Sequence, residues 1–152
     1  MIVRAAVESD LSRVLKLGKA FFDQAGWPQI SSWHPPSIEQ FLRSLMFGPA
    51  DGGLLVAEHG GAVVGMFGYL CFPFYFNFNE IAAQELFWYA EDQHRFGAGA
   101  AMHDHFEDVA RQRGVNVVIM SAVSGLRDKA LARLYRRRGY QSGEMNFLKR
   151  IK

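Results

Sequence analysis

A β-hairpin signal in the middle of the chain constrains the fold more than any other feature. Two β-rich runs, 54–58 and 62–70, are separated only by a His-Gly-Gly turn at 59–61. These runs should therefore be antiparallel neighbours in a sheet. A third β-rich run at 85–90 leads directly into a glycine-rich segment and then a helical pattern.

The remaining patterns surround these strands with helices. Apolar residues at helical spacing predict helices over about 8–24, from Ser37 to about Met46, from Gly99 to Arg113, and over 128–138. Further strands are predicted at 2–5, 115–120 and 140–151, and a loop at 48–53. This order predicts an α/β (α+β) fold with a mixed, mostly antiparallel central sheet and helices on both faces.

Composition favours one globular domain over residues 1–152. The hydrophobic share is 49% and the charged share 21%, which is unlike a disordered chain. No run reads as a membrane span or a signal peptide, and a net charge of +2 is too mild for a general nucleic-acid binder. We therefore expect neither a membrane nor a nucleic acid as partner. The single cysteine, Cys71, excludes an internal disulfide and favours the cytoplasm.

The segment His94–Met102 joins the strand at 85–90 to the next helix and is rich in small residues. Unpaired N–H groups at a helix N-terminus attract anions, and glycines let an anion approach them closely. Gly97 and Gly99 give that freedom, and Arg95 adds positive charge. The segment suits a phosphate or pyrophosphate, while a simple connection is the alternative. The lysine of a P-loop and the acidic ribose ligand of a dinucleotide fold are both missing.

This segment resembles the acetyl-CoA motif of the GNAT N-acetyltransferase superfamily. That pattern is Arg or Gln, two residues, Gly, one residue, then Gly or Ala; here His94, Gly97 and Gly99 fall on its defined positions. Residues 134–140, Leu-Tyr-Arg-Arg-Arg-Gly-Tyr, resemble the family's later Leu-Tyr-x-x-x-Gly-Phe/Tyr segment. The order of elements also matches, so the resemblance covers nearly the whole chain.

Three features depart from the family pattern. His94 replaces the usual Arg or Gln, and Asp128 replaces an asparagine that usually precedes the tyrosine. Only one strand is predicted after Gly139, where many members have two. The sheet edge is therefore either completed by another subunit, as in a homodimer, or left short.

The resemblance implies acetyl-CoA as co-substrate, without a metal. The cofactor's pyrophosphate would lie on the glycine-rich segment, and its pantetheine arm would run along the preceding strand. The cofactor-binding residues implied in this way are Phe87, Trp88, Tyr89, His94, Arg95, Phe96, Gly97, Ala98, Gly99, Ala100 and Asp128.

The resemblance also implies an acyltransferase that moves an acetyl group to a primary amine by direct attack. Such a reaction needs an uncharged amine, a stabilised oxyanion and a proton for the departing thiolate. Tyr135 matches the family's general-acid tyrosine; the alternative is a helix tyrosine packed on the core. Glu85, which should share a face of its strand with Phe87 and Tyr89, is the candidate base; the alternative is a solvated carboxylate.

Other reactive side chains give weaker signals. His103 and His105 stand two apart on a helix and do not share a face, so a metal site is not expected. Arg133 and the arginines at 136–138 should form a solvated last turn, from which one could reach the cofactor's ribose phosphate. Cys71 has no partner residue that would make it a nucleophile.

The acceptor is the least constrained part of the prediction. Trp27, Trp33 and His34 lie in loops of the first helix pair, and 72–78 contains five aromatic residues. That aromatic segment could line an acceptor groove, pack a core or contact a second subunit. The acceptor is an amine-bearing small molecule or protein. The alternative function is a catalytically silent GNAT-like domain that binds acyl-CoA or a protein partner.

Overall fold

Five strands form one sheet with four α-helices around it in the computed structural model, which describes residues 1–48 and 51–152. The strands are β1 (Ile2–Ala5), β2 (Gly52–His59), β3 (Ala62–Phe74), β4 (Asn77–Ala90) and β5 (Val117–Ile119). The helices are α1 (Leu11–Gln24), α2 (Pro35–Phe47), α3 (Arg95–Gln112) and α4 (Asp128–Arg137).

The sheet order is β1-β2-β3-β4-β5. Strands β1 to β4 pair antiparallel in succession, and β5 pairs parallel to β4 after the crossover through α3. The predicted hairpin is the β2–β3 connection, with Gly60 and Gly61 both at positive φ in its turn. The predicted mixed, mostly antiparallel sheet is confirmed.

Helices cover both faces of the sheet, as predicted. Helices α1 and α2 pack a core on one face with residues including Val14, Leu17, Leu42, Leu45, Val56 and Met66. Helix α3 packs the other face with Ala98, Met102 and Phe106. The Phe106 ring lies 4.7 Å from that of Phe67, centroid to centroid, and both side chains are fully buried.

Three element boundaries differ from the prediction in ways that matter for the site. Strand β4 begins at Asn77 rather than Glu85, and its added residues include those that pair with β5. Helix α3 begins at Arg95 rather than Gly99, so the segment 95–100 is helical and the turn lies before it. Strand β2 begins at Gly52, because its pairing with β3 extends into the predicted loop. Pro49, which belongs to that predicted loop, lies outside the described residues.

The predicted strand over 140–151 is wrong. Residues 140–152 have no regular secondary structure, and residues 141–152 are all exposed. A strand needs a neighbouring backbone to satisfy its N–H and C=O groups. Within the described ranges, the sheet ends at β5, so these residues have no such neighbour.

An irregularity in the β3–β4 pairing decides which face Glu85 occupies. Gly68 pairs with Phe87 but the next residue, Tyr69, pairs with Glu85, so Leu86 is an extra residue, a β-bulge. Directly opposite residues share a face of the sheet. Glu85 therefore lies on the α3 face with Tyr69, whereas Phe87 packs on the α1–α2 face. The prediction that Glu85 shares a face of its strand with Phe87 and Tyr89 is therefore wrong.

Candidate active site

Strand β4 has a free edge over its last six residues. Its parallel neighbour β5 pairs only with Ala82, Ala83 and Gln84. From Glu85 to Ala90, β4 is paired on one side only among the described residues, by β3. Unpaired N–H and C=O groups along such an edge can bind an extended ligand that carries amides.

The three predicted contact residues on this edge point in alternating directions. Phe87 and Tyr89 pack toward the α1–α2 core, where the Gln24 Nε2 donates to the Tyr89 hydroxyl at 3.1 Å. Trp88 packs on the α3 face, with its ring centroid 6.0 Å from that of Phe67. Because the three side chains point to alternating faces, these residues present their main-chain N–H and C=O groups at the free edge.

The N-terminus of α3 lies beside the end of β4 and presents three N–H groups that have no hydrogen-bond partner within residues 1–48 and 51–152. The first bond within the helix runs from Ala98 N to the His94 carbonyl at 2.9 Å, so Arg95, Phe96 and Gly97 precede it. Gly97 is exposed, and a Cβ built there has no neighbour closer than 3.9 Å. Open space, free N–H groups and the helix dipole together make this helix end a candidate anion site.

The small residues that follow serve packing. Ala98 and Gly99 are buried, and a Cβ at Gly99 would contact the Trp88 ring at 3.5 Å. Ala100 is half-buried. Small side chains here let α3 pack closely on β4.

The polar and aromatic residues of the same segment lie around this candidate anion site. The Arg95 guanidinium forms an ion pair with the Asp92 carboxylate. The His94 ring lies 5.0 Å from the His59 ring, centroid to centroid. Phe96 is 86% exposed, so its side chain is available to a ligand.

Glu85 and Tyr135, which are distant in sequence, meet at Ser121. The Ser121 N–H donates to the Glu85 Oε2 at 3.1 Å, and the Tyr135 hydroxyl donates to the Ser121 carbonyl at 2.8 Å. Both side chains are buried, with Glu85 7% and Tyr135 9% exposed. The structure therefore brings the two candidate catalytic residues together, just beyond the end of β5.

Their surroundings give these two groups different protonation states. Burial raises the pKa of Glu85 to about 7, although the hydrogen bonds from Ser121 act in the opposite direction. Burial, followed by the negative charge of Glu85, raises the pKa of Tyr135 above its usual range. Near neutral pH, Glu85 is therefore poised to exchange a proton while Tyr135 holds one.

Asp128 has a local role at the start of α4. Its carboxylate accepts hydrogen bonds from the backbone N–H of Lys129 at 2.8 Å and of Gly125 at 3.4 Å. Arg127, directly before it, has a left-handed φ of 58°. In the described structure these contacts bind Asp128 to its own turn, where a carboxylate also complements the helix dipole.

Arg138 and His103 form a partly buried polar contact that sequence reasoning missed. The expectation that 136–138 is a solvated last turn is wrong for Arg138, whose Nη1 lies 2.7 Å from the His103 Nδ1. His103 is fully buried. Helical spacing could have indicated the burial of His103, because it lies next to Met102 and three residues before Phe106 on the buried face of α3.

Neither a metal centre nor a membrane span is found in the part of the chain that the structure describes. No three His, Cys, Asp or Glu residues there lie close enough together to hold a metal ion. No helix over residues 1–48 or 51–152 has the length and apolar character needed to cross a bilayer.

The fold and the site are those of an acyltransferase: strands β4 and β5 separate beside a helix N-terminus, and two buried titratable side chains, Glu85 and Tyr135, lie near this opening. A model of the Acetyltransferase (GNAT) family matches residues 17–140, so the chain belongs to the GNAT family. No curated protein matches the chain in sequence.

Solved structures share the fold at low sequence identity. A ribosomal-protein-alanine N-acetyltransferase from Brucella melitensis biovar Abortus 2308 is 19% identical with a TM-score of 0.73, over 99% of this chain and 100% of that one. The aminoglycoside antibiotic 6'-N-acetyltransferase AAC(6')-IG from Acinetobacter haemolyticus is 20% identical with a TM-score of 0.71, over 100% of both chains. A predicted acetyltransferase with acetyl-CoA from Clostridium acetobutylicum is 17% identical with a TM-score of 0.74, over 97% and 95%.

Proposed function

We propose that the protein transfers an acetyl group from acetyl-CoA to a primary amine by direct attack, with Glu85 as base and Tyr135 as acid. The observation that carries this proposal is the meeting of the two buried groups at Ser121, beside the free edge of β4. The amine belongs to a small molecule or a protein. Enzymes named for each kind of acceptor occur among the solved structures with this fold.

The chain has the groups needed to hold acetyl-CoA. The free N–H groups of Arg95, Phe96 and Gly97 suit the pyrophosphate, with His94 beside them. The main-chain edge at 87–89 suits the amides of the pantetheine arm. When bound, acetyl-CoA supplies a thioester whose acetyl group is activated for attack. Asp128 is left out of this proposed site because its carboxylate accepts hydrogen bonds from the backbone N–H groups of its own turn.

Each proposed catalytic residue moves one proton. The Glu85 carboxylate takes up the proton that the amine loses, directly or through a water molecule. The Tyr135 hydroxyl holds a proton for the departing sulfur, and to deliver it the hydroxyl exchanges its bond to the Ser121 carbonyl for one to the sulfur. Burial of both groups strengthens these hydrogen bonds relative to water.

Calorimetric titration with acetyl-CoA, and separately with free CoA, tests the cofactor site. We expect both to bind the wild-type protein, because both carry the pyrophosphate. Gly97→Glu places a carboxylate beside the anion site and should abolish binding of both ligands. Gly97→Ala is the matched control and should retain much more binding than Gly97→Glu, because it adds only a methyl group and no charge. Unchanged affinity in Gly97→Glu would show that the N-terminus of α3 is not the site.

Turnover separates the enzyme from the alternative, a silent GNAT-like domain that binds acyl-CoA or a protein partner. His94 and Asp128 at motif positions are the observations that favour the alternative. Release of free thiol from acetyl-CoA, screened against aminoglycosides, simple amines and peptides with free N-termini, gives the distinction. Release that depends on an amine supports the enzyme; cofactor binding without release from any acceptor supports the silent domain.

We also propose a single-domain protein that works in the cytoplasm and forms a homodimer. One sheet with helices packed on both faces supports the single domain. The lone thiol of Cys71 fits a reducing compartment. Exposed apolar side chains at the β3–β4 turn support self-association: Tyr75 is 54%, Phe76 80% and Phe78 78% exposed.

A further inference from the structure

His103 has no role in the proposed reaction. It lies at the centre of an aromatic cluster between β4, α3 and α4. Its ring centroid is 5.6 Å from that of Trp88, 6.3 Å from that of Tyr135 and 5.7 Å from that of Tyr140. The imidazole is fully buried. We call these four residues the His103 cluster.

Arg138 fixes the orientation of the imidazole. A guanidinium can only donate, so the His103 Nδ1, 2.7 Å from the Arg138 Nη1, must accept. The ring proton is then on Nε2, which has no hydrogen-bond partner within the described structure; the Glu107 Oε1 is 3.8 Å away. The same Arg138 nitrogen donates to the Asp104 carboxylate. Arg138 is therefore bound to two neighbouring residues of α3.

These contacts decide how α4 sits on the rest of the molecule. Tyr135 is the one buried side chain of α4 in the described chain, and Leu131 and Leu134 are half-buried, so little of the helix is packed inside the molecule. Arg138 follows Tyr135 by three residues and comes directly after the last residue of the same helix. The hydrogen bonds of Arg138 to His103 and Asp104 therefore restrain the helix that carries the Tyr135 hydroxyl.

We propose that Arg138, acting through His103, is a positioning residue for the Tyr135 hydroxyl. For its catalytic consequence the inference rests on the proposed function, in which Tyr135 is the acid. The guanidinium holds the imidazole in one orientation, the imidazole packs beside the Tyr135 ring at an interplanar angle of 30°, and the ring directs its hydroxyl to the Ser121 carbonyl.

NMR spectroscopy of the whole protein tests the geometry without any acceptor. With ¹⁵N-labelled histidine, wild-type His103 should show a proton on Nε2 and a hydrogen-bonded, unprotonated Nδ1. In Arg138→Met we expect this signature to be lost and the ¹³Cζ resonance of Tyr135 to shift, while that of Tyr89 stays in place. A protonated Nδ1 in the wild type, or an unshifted Tyr135 resonance in the variant, would overturn the proposal.

Kinetics test the consequence, with thiol release from acetyl-CoA and n-butylamine as the assay. Arg138→Met should lower kcat by about tenfold or more, with KM for acetyl-CoA changed by less than about twofold. In a Tyr135→Phe background the same substitution should lower kcat by less than about twofold, because the group it positions is gone. Arg138→Lys, which retains a donor, should recover part of kcat, and Lys129→Met is the matched control for lost charge on α4.

The outcomes separate the two proposals. If Tyr135→Phe retains the wild-type kcat, the proposed acid role fails and the positioning role fails with it. If Tyr135→Phe lowers kcat but Arg138→Met does not, the acid role stands and the positioning role is overturned. The same conclusion follows if the double variant shows the product of the two fold-losses in kcat. Should Arg138→Met lower the melting temperature strongly, Arg138→Lys provides the same comparison in a folded protein. Without turnover of n-butylamine, the NMR result decides.

Discussion

Glu85 is an ordinary carboxylic acid placed where little water reaches it. Only 7% of the residue is exposed, and the Ser121 N–H donates a hydrogen bond to its carboxylate. Its pKa of about 7 follows from burial. The phenol of Tyr135, which also contacts Ser121, keeps its proton because burial raises its pKa as well. At this scale, the surroundings give common side chains the properties that an acid–base pair needs.

Glu85→Gln should lower kcat by about 100-fold or more, because the proposed base is lost. It should also change how stability depends on pH. The folded pKa of Glu85 lies above its unfolded value, so its contribution to stability is full below pH 4.5 and is lost as pH rises through about 7. Glutamine does not titrate. As pH rises from 5 to 8, the free energy of unfolding of the variant should therefore increase by on the order of 3 kcal/mol relative to that of the wild type.

Urea unfolding at the two pH values measures this gain. Glu80→Gln, on the same strand but half-buried, is the matched control and should show no such change. If the difference in free energy of unfolding between Glu85→Gln and wild type does not change with pH, the raised pKa of Glu85 is contradicted.

The bulge in β4 is the element-level feature on which the site depends. One extra residue, Leu86, moves Glu85 to the face that α4 and Ser121 share, while Phe87 stays on the face of α1 and α2. The ring of Phe87 then lies across Gly68 of β3, and a Cβ at Gly68 would overlap that ring. A glycine is needed opposite the bulge because of this close approach.

Gly68→Ala should destabilise the protein by about 1–3 kcal/mol, because the methyl group and the Phe87 ring compete for one space. In a Phe87→Ala background the same substitution should cost much less. Gly143→Ala, in the C-terminal segment with no atom near the added Cβ, is the matched control and should change stability by less than about 0.5 kcal/mol. Equal costs of Gly68→Ala in both backgrounds would mean that the ring does not lie across the glycine.

At the scale of the whole molecule, apolar side chains remain at the surface after both cores are filled. Phe76 and Phe78 stand at the β3–β4 turn, and Met145 and Phe147 stand in the exposed C-terminal segment, each at least 78% exposed. The Tyr75 hydroxyl lies 3.5 Å from the Glu144 carboxylate, so the turn and the segment are neighbours. A second copy of the chain could cover this surface in the proposed homodimer.

Sedimentation analysis of the wild-type protein should therefore show a dimer that dissociates on dilution. The double variant Phe76→Ser, Phe78→Ser should be monomeric with an unchanged circular-dichroism spectrum, because both side chains are outside the two cores. Phe47→Ser, at the exposed end of α2, is the matched control and should still form the dimer. A wild-type monomer at every concentration would contradict the homodimer.

Local patterns were sufficient to predict most elements, because they depend on residues close together in the chain. The His-Gly-Gly turn at 59–61 predicted the hairpin, and helical spacing predicted α1, α2 and α4 nearly at their bounds. The pattern failed at 140–151, where a strand also needs a partner that the described sheet does not supply. It placed the start of α3 at Gly99 rather than Arg95, because glycines are allowed in a first helical turn as well as in a loop.

The sequence by itself therefore determined the fold class, the order of elements and the family, all of which follow from turn residues, periodicity and two short motifs. The tertiary structure decided which face Glu85 occupies, that Glu85 and Tyr135 meet at Ser121, and that Arg138 is bound to His103. The Glu85–Ser121 and His103–Arg138 contacts join residues 36 and 35 positions apart. Burial and proton affinity at such contacts depend on how separate elements pack, and no local pattern of residues carries that information.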